Sequence, residues 1–351
     1  MKSLGIHLLT AYPPSNPNRD ENGQPKSAMV AGVLRQRISS QCIKRAWRLS
    51  DLMKAVQAGV ATRTRGMGGQ LYESLIAGGV DDANATAWAA AIALQFGEPG
   101  KEKSKGKSKS KGKDKDGLRH AAMVVLGHEE LAAIHALTNV LVAERRAPTV
   151  AELAGLPRKT TSLDVALFGR MRAGAPDLSK DAAVYVSHPL TTGKAAMDSD
   201  FWTAVDDLSS DGDVGAGGMG DVEFGSGTYY TYVEINTSAL AANLDGDETV
   251  ARAAVAALIE AMAVTAPSGH KTSFGNAVRA SYVRVEVGQP SGNLFCKAYE
   301  KPVQLTAEAV TTLQAAAAYE ARTYGLQQAV FEFPGATGTL KDLIAAVVDA
   351  V

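Results

Sequence analysis

The stretch Thr228–Asn236 constrains the fold most, because nearly every residue in it is aromatic or β-branched. That composition predicts a β-strand. The alternating segment 279–286 and the apolar segment 4–10 predict two more strands. Helices are predicted over 249–265, 307–324 and 339–351, with a short strand at 329–332. The outer parts of the chain therefore follow a β-α-β…β-α-β order, which predicts an α+β fold of the RRM-like or ferredoxin-like kind. The aromatic signatures of a standard RRM are missing from the sequence, so RNA binding by stacking on the sheet is not indicated.

Residues 58–182 differ in character, because they are rich in alanine and follow a helical period. They predict an inserted helical domain. Its helices are predicted over 83–96, 118–144, 149–153 and 162–171. The lysine-rich run at 101–116 alternates Lys, Ser and Gly without apolar residues, which predicts disorder. Two roles stay open for this run: a solubilising surface loop or a basic tail that touches nucleic acid.

After a predicted strand at 183–190, residues 191–225 form two arms joined by a glycine-rich run, which predicts a long projecting hairpin. One arm carries Phe201 and Trp202. Two large exposed aromatic side chains favour a partner surface, either nucleotides or a neighbouring subunit. The alternative is that they anchor the hairpin to its own domain.

The stretch Arg35–Arg48 combines five basic residues with interleaved apolar ones. Ser39 or Ser40 is a good N-cap for a helix that is predicted to extend to about Gln57. A cationic face and an apolar face follow from the helical spacing. The cationic face holds Gln41, Lys44 and Arg48, and the apolar face holds Ile43, Ala46 and Trp47. A cationic face beside a helix N-terminus suits a phosphate backbone, although an ordinary solvated face is the alternative.

The composition excludes several classes of protein. The chain of 351 residues has a formal net charge of −1, so a nucleic-acid surface must be a local patch. The first fifty residues hold eight lysines and arginines against Asp20 and Glu21, which supports such a patch. Cys42 and Cys296 are far apart, so we expect no disulfide framework or zinc site and a reducing, cytoplasmic setting. Neither a signal peptide nor a membrane-spanning run is apparent.

Catalytic motifs are weak. His128 and His135 lie seven residues apart, which does not fit the spacing of H-E-x-x-H, and neither a P-loop nor a nucleophile elbow is present in the sequence. Acidic residues at 206, 207, 211 and 213 could chelate a cation, but solvated acids beside a flexible tip are the simpler interpretation. The segment Gly269–Ser273 could offer donors to phosphate, or be a polar turn.

Four blocks together resemble a known family: N-R-D at 18–20, R-I-S-S-Q-C-I-K-R-A-W-R at 37–48, D-V-A-L-F-G-R-M at 164–171 and D-S-D-F-W-T-A-V-D-D-L at 198–208. They resemble the backbone subunit of the type I-E CRISPR Cascade complex, the CasC family within the Cas-seven superfamily of RAMP proteins. The resemblance covers nearly the whole chain, except that the lysine-rich run looks like an insertion. It implies an RRM-like palm (1–57 and 183–351), an inserted helical fingers domain (58–182) and a β-hairpin thumb (191–225).

The resemblance also implies a function. Such subunits are non-catalytic, stack head-to-tail along the CRISPR RNA, and leave its bases free to pair with target DNA. Their other partners are the large, small, guide-5′-end and guide-processing subunits, and a separately recruited helicase-nuclease cuts the target. No cofactor or metal is expected. The RNA-contacting residues implied by position are Lys26, Arg37, Ser39, Ser40, Gln41, Lys44, Arg48, Met171, Phe201, Trp202 and Thr203, and the local sequence adds His270 and Lys271.

Two alternatives stay open at this point. One is a metal-dependent endoribonuclease of the same RRM-like superfamily, which would use acids near Asp164 or Asp206. The other is a protein-only scaffold without a role in RNA binding.

Overall fold

The computed structural model of the protein describes residues 3–100, 118–171, 178–205, 218–335 and 338–351. The lysine-rich run predicted to be disordered, the predicted hairpin tip and the four acidic residues at its start lie outside the described residues. The chain divides into two compact units. The sheet unit comprises Met1–Val56, Val184–Ala241 and Glu248–Val351, and the helical unit comprises Gln57–Ala183 and Ala242–Asp247. None of the helices in the described ranges has the length and apolar character that a membrane span requires.

The described elements form runs of strands and runs of helices along the chain. The strands are β1 Ser3–Ser15, β2 Ser27–Val30, β3 Val33–Gln36, β4 Thr62–Thr64, β5 Val124–Leu126, β6 Val184–Val186, β7 Leu190–Thr191, β8 Met197–Ala204, β9 Gly218–Asn236, β10 Tyr282–Gly288 and β11 Gln328–Phe333. The helices are α1 Ser40–Arg48, α2 Asp51–Lys54, α3 Met67–Ala77, α4 Asp82–Leu94, α5 His128–Glu144, α6 Val150–Ala154, α7 Leu163–Phe168, α8 Thr237–Asn243, α9 Glu248–Val264, α10 Lys271–Phe274, α11 Phe295–Tyr299, α12 Thr306–Tyr324 and α13 Leu340–Ala350.

An antiparallel sheet forms the centre of the sheet unit, with strand order β11-β10-β1-β9-β6. Both β7 and β8 also pair with β9. Leu8 and Leu9 of β1 are buried and point to opposite faces of the sheet, because side chains alternate along a strand. On the face of Leu9, α11 and α12 contribute Phe295 and Leu313 to the core. The sheet is therefore covered by helices and buried on both sides at its centre.

The opposite face of the sheet holds α1 and α9. Ile38, Ile43 and Trp47 are almost completely buried there, near Leu8 and Met262. The apolar face predicted for α1 thus packs on the sheet. This packing holds the N-terminus of α1 at the sheet's edge, where the polar residues that precede it are gathered.

The helical unit has its own core, in which α3, α4 and α5 pack together around Leu71, Trp88 and Leu137. A short antiparallel ribbon of β4 and β5 lies in the same unit. The fold is therefore mixed α and β with an antiparallel sheet, as the sequence predicts at this level.

Several predicted element boundaries are wrong. The helix predicted to continue from α1 to about Gln57 ends at Arg48, because Ser50 caps a separate short helix by accepting from the amide of Met53. The helix predicted over 118–144 begins only at His128, since residues 124–126 pair with β4 as strand β5. The strand predicted over 183–190 is two strands interrupted at Ser187–Pro189, where proline lacks the amide that a sheet ladder needs.

Several described elements are additional to the sequence prediction, among them a helix and a hairpin. Helix α3 precedes the first helix predicted for the alanine-rich region. The extended segment predicted after Lys26 is a hairpin of β2 and β3, whose two turn residues, Ala31 and Gly32, both have positive φ angles of 50° and 75°. Two consecutive positive φ angles are typical of the type I′ turn that joins tightly paired strands.

Candidate nucleic-acid interface

The connecting loop, residues 16–26 between β1 and β2, organises the candidate interface. Its first side chain, Asn16, is fully buried and donates to the carbonyls of Gly23 (3.0 Å) and Glu223 (2.8 Å). Further on, Asn18 accepts a hydrogen bond from the amide of Ser39 (2.8 Å). The loop is thus tied to β9 at one end and to the start of α1 at the other.

Backbone pairing places two of the predicted cationic residues side by side. The amide of Arg37 donates to the carbonyl of Lys26 (2.7 Å), and the amide of Lys26 donates to the carbonyl of Asn18 (3.0 Å). The next amide, that of Ile38, donates to the carbonyl of Pro189 (3.0 Å). Lys26 and Arg37 therefore lie together although ten residues separate them in the chain.

The N-terminus of α1 adds a hydroxyl donor beside these side chains. Ser39 is the N-cap, since its hydroxyl oxygen accepts from the amide of Cys42 (3.2 Å), and this resolves the choice between Ser39 and Ser40. A hydroxyl that accepts from an amide still has its own hydrogen to donate. Gln41 is exposed and Lys44 is half-buried on the first turns of the helix. Donors and cations thus share one end of α1, which is the arrangement that attracts anions.

His188 joins this group, although the sequence analysis did not single it out. Its Nδ1 lies 3.2 Å from Nη1 of Arg37 and 3.4 Å from the amide nitrogen of Ser40. Burial lowers the pKa of His188, and the positive charges of Arg37, Lys26 and Lys44 lower it further. We call Lys26, Arg37, Lys44 and His188 the His188 cluster. The only sequence signal for His188 is that it precedes a proline in a broken strand.

Two basic residues of the same stretch are buried. Arg35 is fully buried, and its guanidinium donates to the carbonyls of Thr191 (3.2 Å), Thr192 and Tyr299 (2.7 Å). Arg48, predicted to extend the cationic face of α1, is only 9% exposed. The exposed cationic face is therefore shorter than the helical spacing predicts. Arg35 holds β3 against the core.

The segment around His270 packs against the connecting loop. Gly269 lies so close to the loop that a Cβ atom there would stand 2.3 Å from the carbonyl oxygen of Pro17. His270 has a positive φ of 49° and its ring contacts the guanidinium of Arg19. Burial and the charge of Arg19 both lower the pKa of His270. The neighbouring Lys271 is exposed, so the second predicted polar segment adjoins the loop. Arg19 belongs to the N-R-D block but was not predicted as a site residue.

The described part of the projecting hairpin is a two-stranded ribbon, residues 197–204 of β8 paired with 218–225 of β9. Phe201 and Trp202 are 65% and 47% exposed. Trp202 is paired with Gly220, and its indole lies so near that a Cβ on the glycine would stand 3.0 Å from the ring nitrogen. Thr203 is paired with Met219, another exposed side chain. Both faces of the ribbon therefore present apolar surface to solvent.

The remaining predicted residues lie in the helical unit. Met171 is 82% exposed just after α7. Asp164 is fully buried, where it accepts from the amide of Ala61 (2.7 Å) and lies 3.5 Å from Arg63. Glu130, on the helix with the two spaced histidines, is buried against Arg170 (2.8 Å). Within the described ranges, no group of three or more His, Cys, Asp or Glu side chains could hold a metal ion.

Comparisons with known proteins agree with this fold. The sequence model of the family described as CT1975-like protein matches residues 4–344. A search of curated proteins finds no match. Among solved structures, a chain of a "CRISPR RNA-guided surveillance complex, pre-nicking" is 28% identical, with a TM-score of 0.82 over 99% of both chains. A chain of a "CRISPR RNA-guided surveillance complex" is 23% identical, with a TM-score of 0.72 over 99% of this chain and 100% of the other, and shares the fold.

Proposed function

Because the chain belongs to the CT1975-like protein family, we propose that it is a subunit of a CRISPR RNA-guided surveillance complex and binds the guide RNA. The observation that carries the proposal is the end-to-end likeness to a chain of such a complex, at 28% identity and a TM-score of 0.82. A likeness over 99% of both chains covers the His188 cluster, the connecting loop and the ribbon together.

The guide binds through its phosphates and sugars. Lys26, Arg37 and Lys44 supply positive charge, and the hydroxyl of Ser39 at the start of α1 supplies a hydrogen-bond donor. Contacts of this kind fix the position of the RNA without reading its sequence. A guide-holding subunit must accept any spacer, and specificity then comes from base pairing between guide and target.

The sheet unit serves as the RRM-like palm, the helical unit as the fingers and the ribbon as the thumb. Copies of the subunit stack head-to-tail along the guide, since a heterologous contact that does not close builds a filament. The exposed Phe201 and Trp202, with Thr203, meet the guide where a nucleotide is displaced, and Met171 acts as a wedge between bases. The remaining partners are the other subunits of the complex and a recruited helicase-nuclease.

The subunit itself is proposed to be non-catalytic. The acid that a metal-dependent nuclease could use in the helical unit, Asp164, is buried and bound to the amide of Ala61. A carboxylate that is held in this way is a structural anchor and is not available to a substrate. Incubation with guide-like RNA and Mg²⁺ tests the proposal: cleavage that Asp164→Ala or Asp206→Ala abolishes would replace it with the nuclease alternative.

Purification with the native partner subunits, followed by sequencing of the bound RNA, is the main test. We expect protected RNA with repeat-derived ends and variable spacers, in particles larger than a monomer. The variant Lys26→Ala/Arg37→Ala should lose most of this RNA, whereas Arg45→Ala, on an exposed part of α1, should keep it. Unchanged RNA content and retained assembly in the double variant would favour a protein-only scaffold.

A further inference from the structure

His188 is held at the start of α1 by the backbone on both sides of it. The amide of Ser187 donates to the carbonyl of Tyr232 (2.9 Å), and the carbonyl of Pro189 accepts from Ile38 (3.0 Å). The side chain itself is exposed. The backbone therefore fixes the position of the imidazole beside the other residues of the His188 cluster. Because the ring is exposed, it does not contribute to the packing of the core.

The hydrogen bonds around the ring define its protonation state in the free protein. Arg37 and the amide of Ser40 can only donate, and both approach the same atom, Nδ1. That nitrogen must therefore carry a lone pair, and the hydrogen of the neutral ring lies on Nε2. If Nδ1 were protonated, its N–H would face the N–H groups of Arg37 and Ser40, and none of these three donors would have an acceptor there.

Three cations on neighbouring segments act on His188, against a backbone hydrogen bond at Ile38 that raises the pKa of the ring. Arg37 follows β3, Lys26 precedes β2 and Lys44 lies on α1, and each lowers the pKa of the ring in addition to the effect of burial. A bound phosphodiester would reverse this situation. It would place a negative charge beside the imidazole and would accept the hydrogen bond that Arg37 now gives to the ring.

We propose that His188 is itself a contact to the guide backbone, and that it takes up a proton from solvent when the phosphodiester binds. In the complex the imidazolium donates to a phosphate oxygen, in place of accepting from Arg37. The inference rests on the proposed function, because it needs an anionic backbone at the His188 cluster. It adds a residue and a linked proton to that function.

The direction of the pH dependence follows from linkage. A group whose pKa is low in the free protein and higher in the complex binds more protons in the complex. RNA affinity must then rise as pH falls through the pKa of the complex, and level off below the pKa of the free protein. Internal phosphodiesters stay singly charged throughout this range, so the RNA backbone does not contribute to the change.

The test measures the affinity of the full-length protein for a short single-stranded RNA at constant ionic strength. Between about pH 8 and about pH 6, the affinity of the unaltered protein should rise by about tenfold for one linked proton. His188→Asn keeps an acceptor near the Nδ1 position but cannot take up a proton, so its affinity should change by less than about twofold. His135→Asn, an exposed histidine of the helical unit, is the matched control and should retain the full rise.

His270→Asn separates the two histidines near the interface, because His270 also lies beside an arginine. If the pH dependence disappears in His270→Asn and persists in His188→Asn, the inference is overturned.

NMR of the His188 ring in the unaltered protein is an independent measurement that needs no variant. The titration midpoint of the ring should rise when RNA is added, and an unchanged midpoint contradicts the inference. RNA binding without any pH dependence would overturn this inference alone, whereas no RNA binding at any pH would overturn the proposed function as well.

Discussion

Two clusters in the sheet unit each place a histidine beside an arginine, and they differ in the charges that surround the histidine. In the buried one, His7 lies 3.6 Å from Glu286, which also accepts from Arg284 (2.8 Å) and from the amide of Ser291 (2.7 Å). Arg284 in turn reaches Glu332 (2.6 Å). Arg284, the buried cation of this Glu286 cluster, therefore has two carboxylates supplied by the chain itself.

The His188 cluster instead gathers charges of one sign. Lys26, Arg37 and Lys44 all act on the same imidazole as cations. Like charges brought together by backbone pairing raise the free energy of the folded protein, so another part of the system must offset them. The comparison shows that the Glu286 cluster contains its own carboxylates, whereas the His188 cluster gathers cations around one imidazole.

The largest expected effect comes from removing the charge of Glu286. Burial raises the pKa of this carboxyl, but His7, the amide of Ser291 and Arg284 outweigh burial and hold it at about 2. Glu286→Gln should lower the free energy of unfolding by about 3 kcal/mol at neutral pH, because it removes the buried carboxylate with which Arg284 is ion-paired. Denaturant unfolding measures this change, and Glu300→Gln, at an exposed position, is the control.

The same variant tests the sign of the pH effect. The folded pKa is depressed, so the stabilisation is present above the ordinary value of 4.5 and is lost as pH falls towards about 2. The loss of stability over that acid window should be smaller in Glu286→Gln than in the unaltered protein. Equal losses would show that Glu286 is not the group that responds to pH.

A second, smaller effect is expected in the connecting loop, which places the surface cluster. Asn16→Ala leaves the carbonyls of Gly23 and Glu223 without their donor. Unfolding free energy should fall by about 2 kcal/mol, the cost of burying unpaired polar groups. Asn22→Ala, at an exposed position of the same loop, should stay within about 0.5 kcal/mol. An equal change in unfolding free energy for both variants would mean that Asn16 does not hold the loop.

The surface cluster should respond in binding and not in stability. Arg37→Gln should weaken binding of single-stranded RNA by about 1 kcal/mol, equally for all sequences, and reduce the salt dependence by about one counterion. Its thermal unfolding should be almost unchanged, and Arg45→Gln should leave both properties unchanged. Sequence-dependent weakening would show that Arg37 contacts bases.

The smallest effect on stability is expected in the ribbon. Phe201→Ala/Trp202→Ala should change the free energy of unfolding by less than about 1 kcal/mol, because both side chains are largely exposed. Assembly along RNA should nevertheless be disturbed, which size-exclusion chromatography with the partner subunits can measure. Met29→Ala, another exposed apolar residue, is the control. Loss of soluble protein in the double variant would identify the pair as core residues.

Local sequence patterns predicted much of the fold, because they report interactions between near neighbours. An N-cap at Ser39 or Ser40 and the buried face with Ile43 and Trp47 followed from the sequence of one helix, and the structure identifies Ser39 as the cap. Spacing does not reveal how far other elements cover a face, and so Arg48 was expected on the cationic surface although it is buried. Arg35 was equally ambiguous, since its three acceptor carbonyls come from distant segments.

The contacts of His188 and His270 in the candidate site could not be predicted from the sequence, because they also depend on distant segments. His188 meets Arg37 across 151 residues of chain, and His270 meets Arg19 across 251. No local period or motif predicts such a contact, because it forms only when distant segments pack together in the folded protein. The N-R-D block pointed to the connecting loop only through resemblance to a family, and the physical role of Asn18 became apparent with its bond to Ser39.

The length of strand β9 limits where related chains can carry insertions. It is one continuous strand of 19 residues, in register with β1 from Asn236 to Thr228 and with β8 from Gly225 to Gly218. A single residue inserted between 218 and 225 would exchange the two faces of the ribbon, because side chains alternate along a strand. Phe201 and Trp202 would then each face a residue that had been paired with the next position of β8. Viable relatives should therefore change the length of this segment in steps of two residues, or place their insertions beyond it.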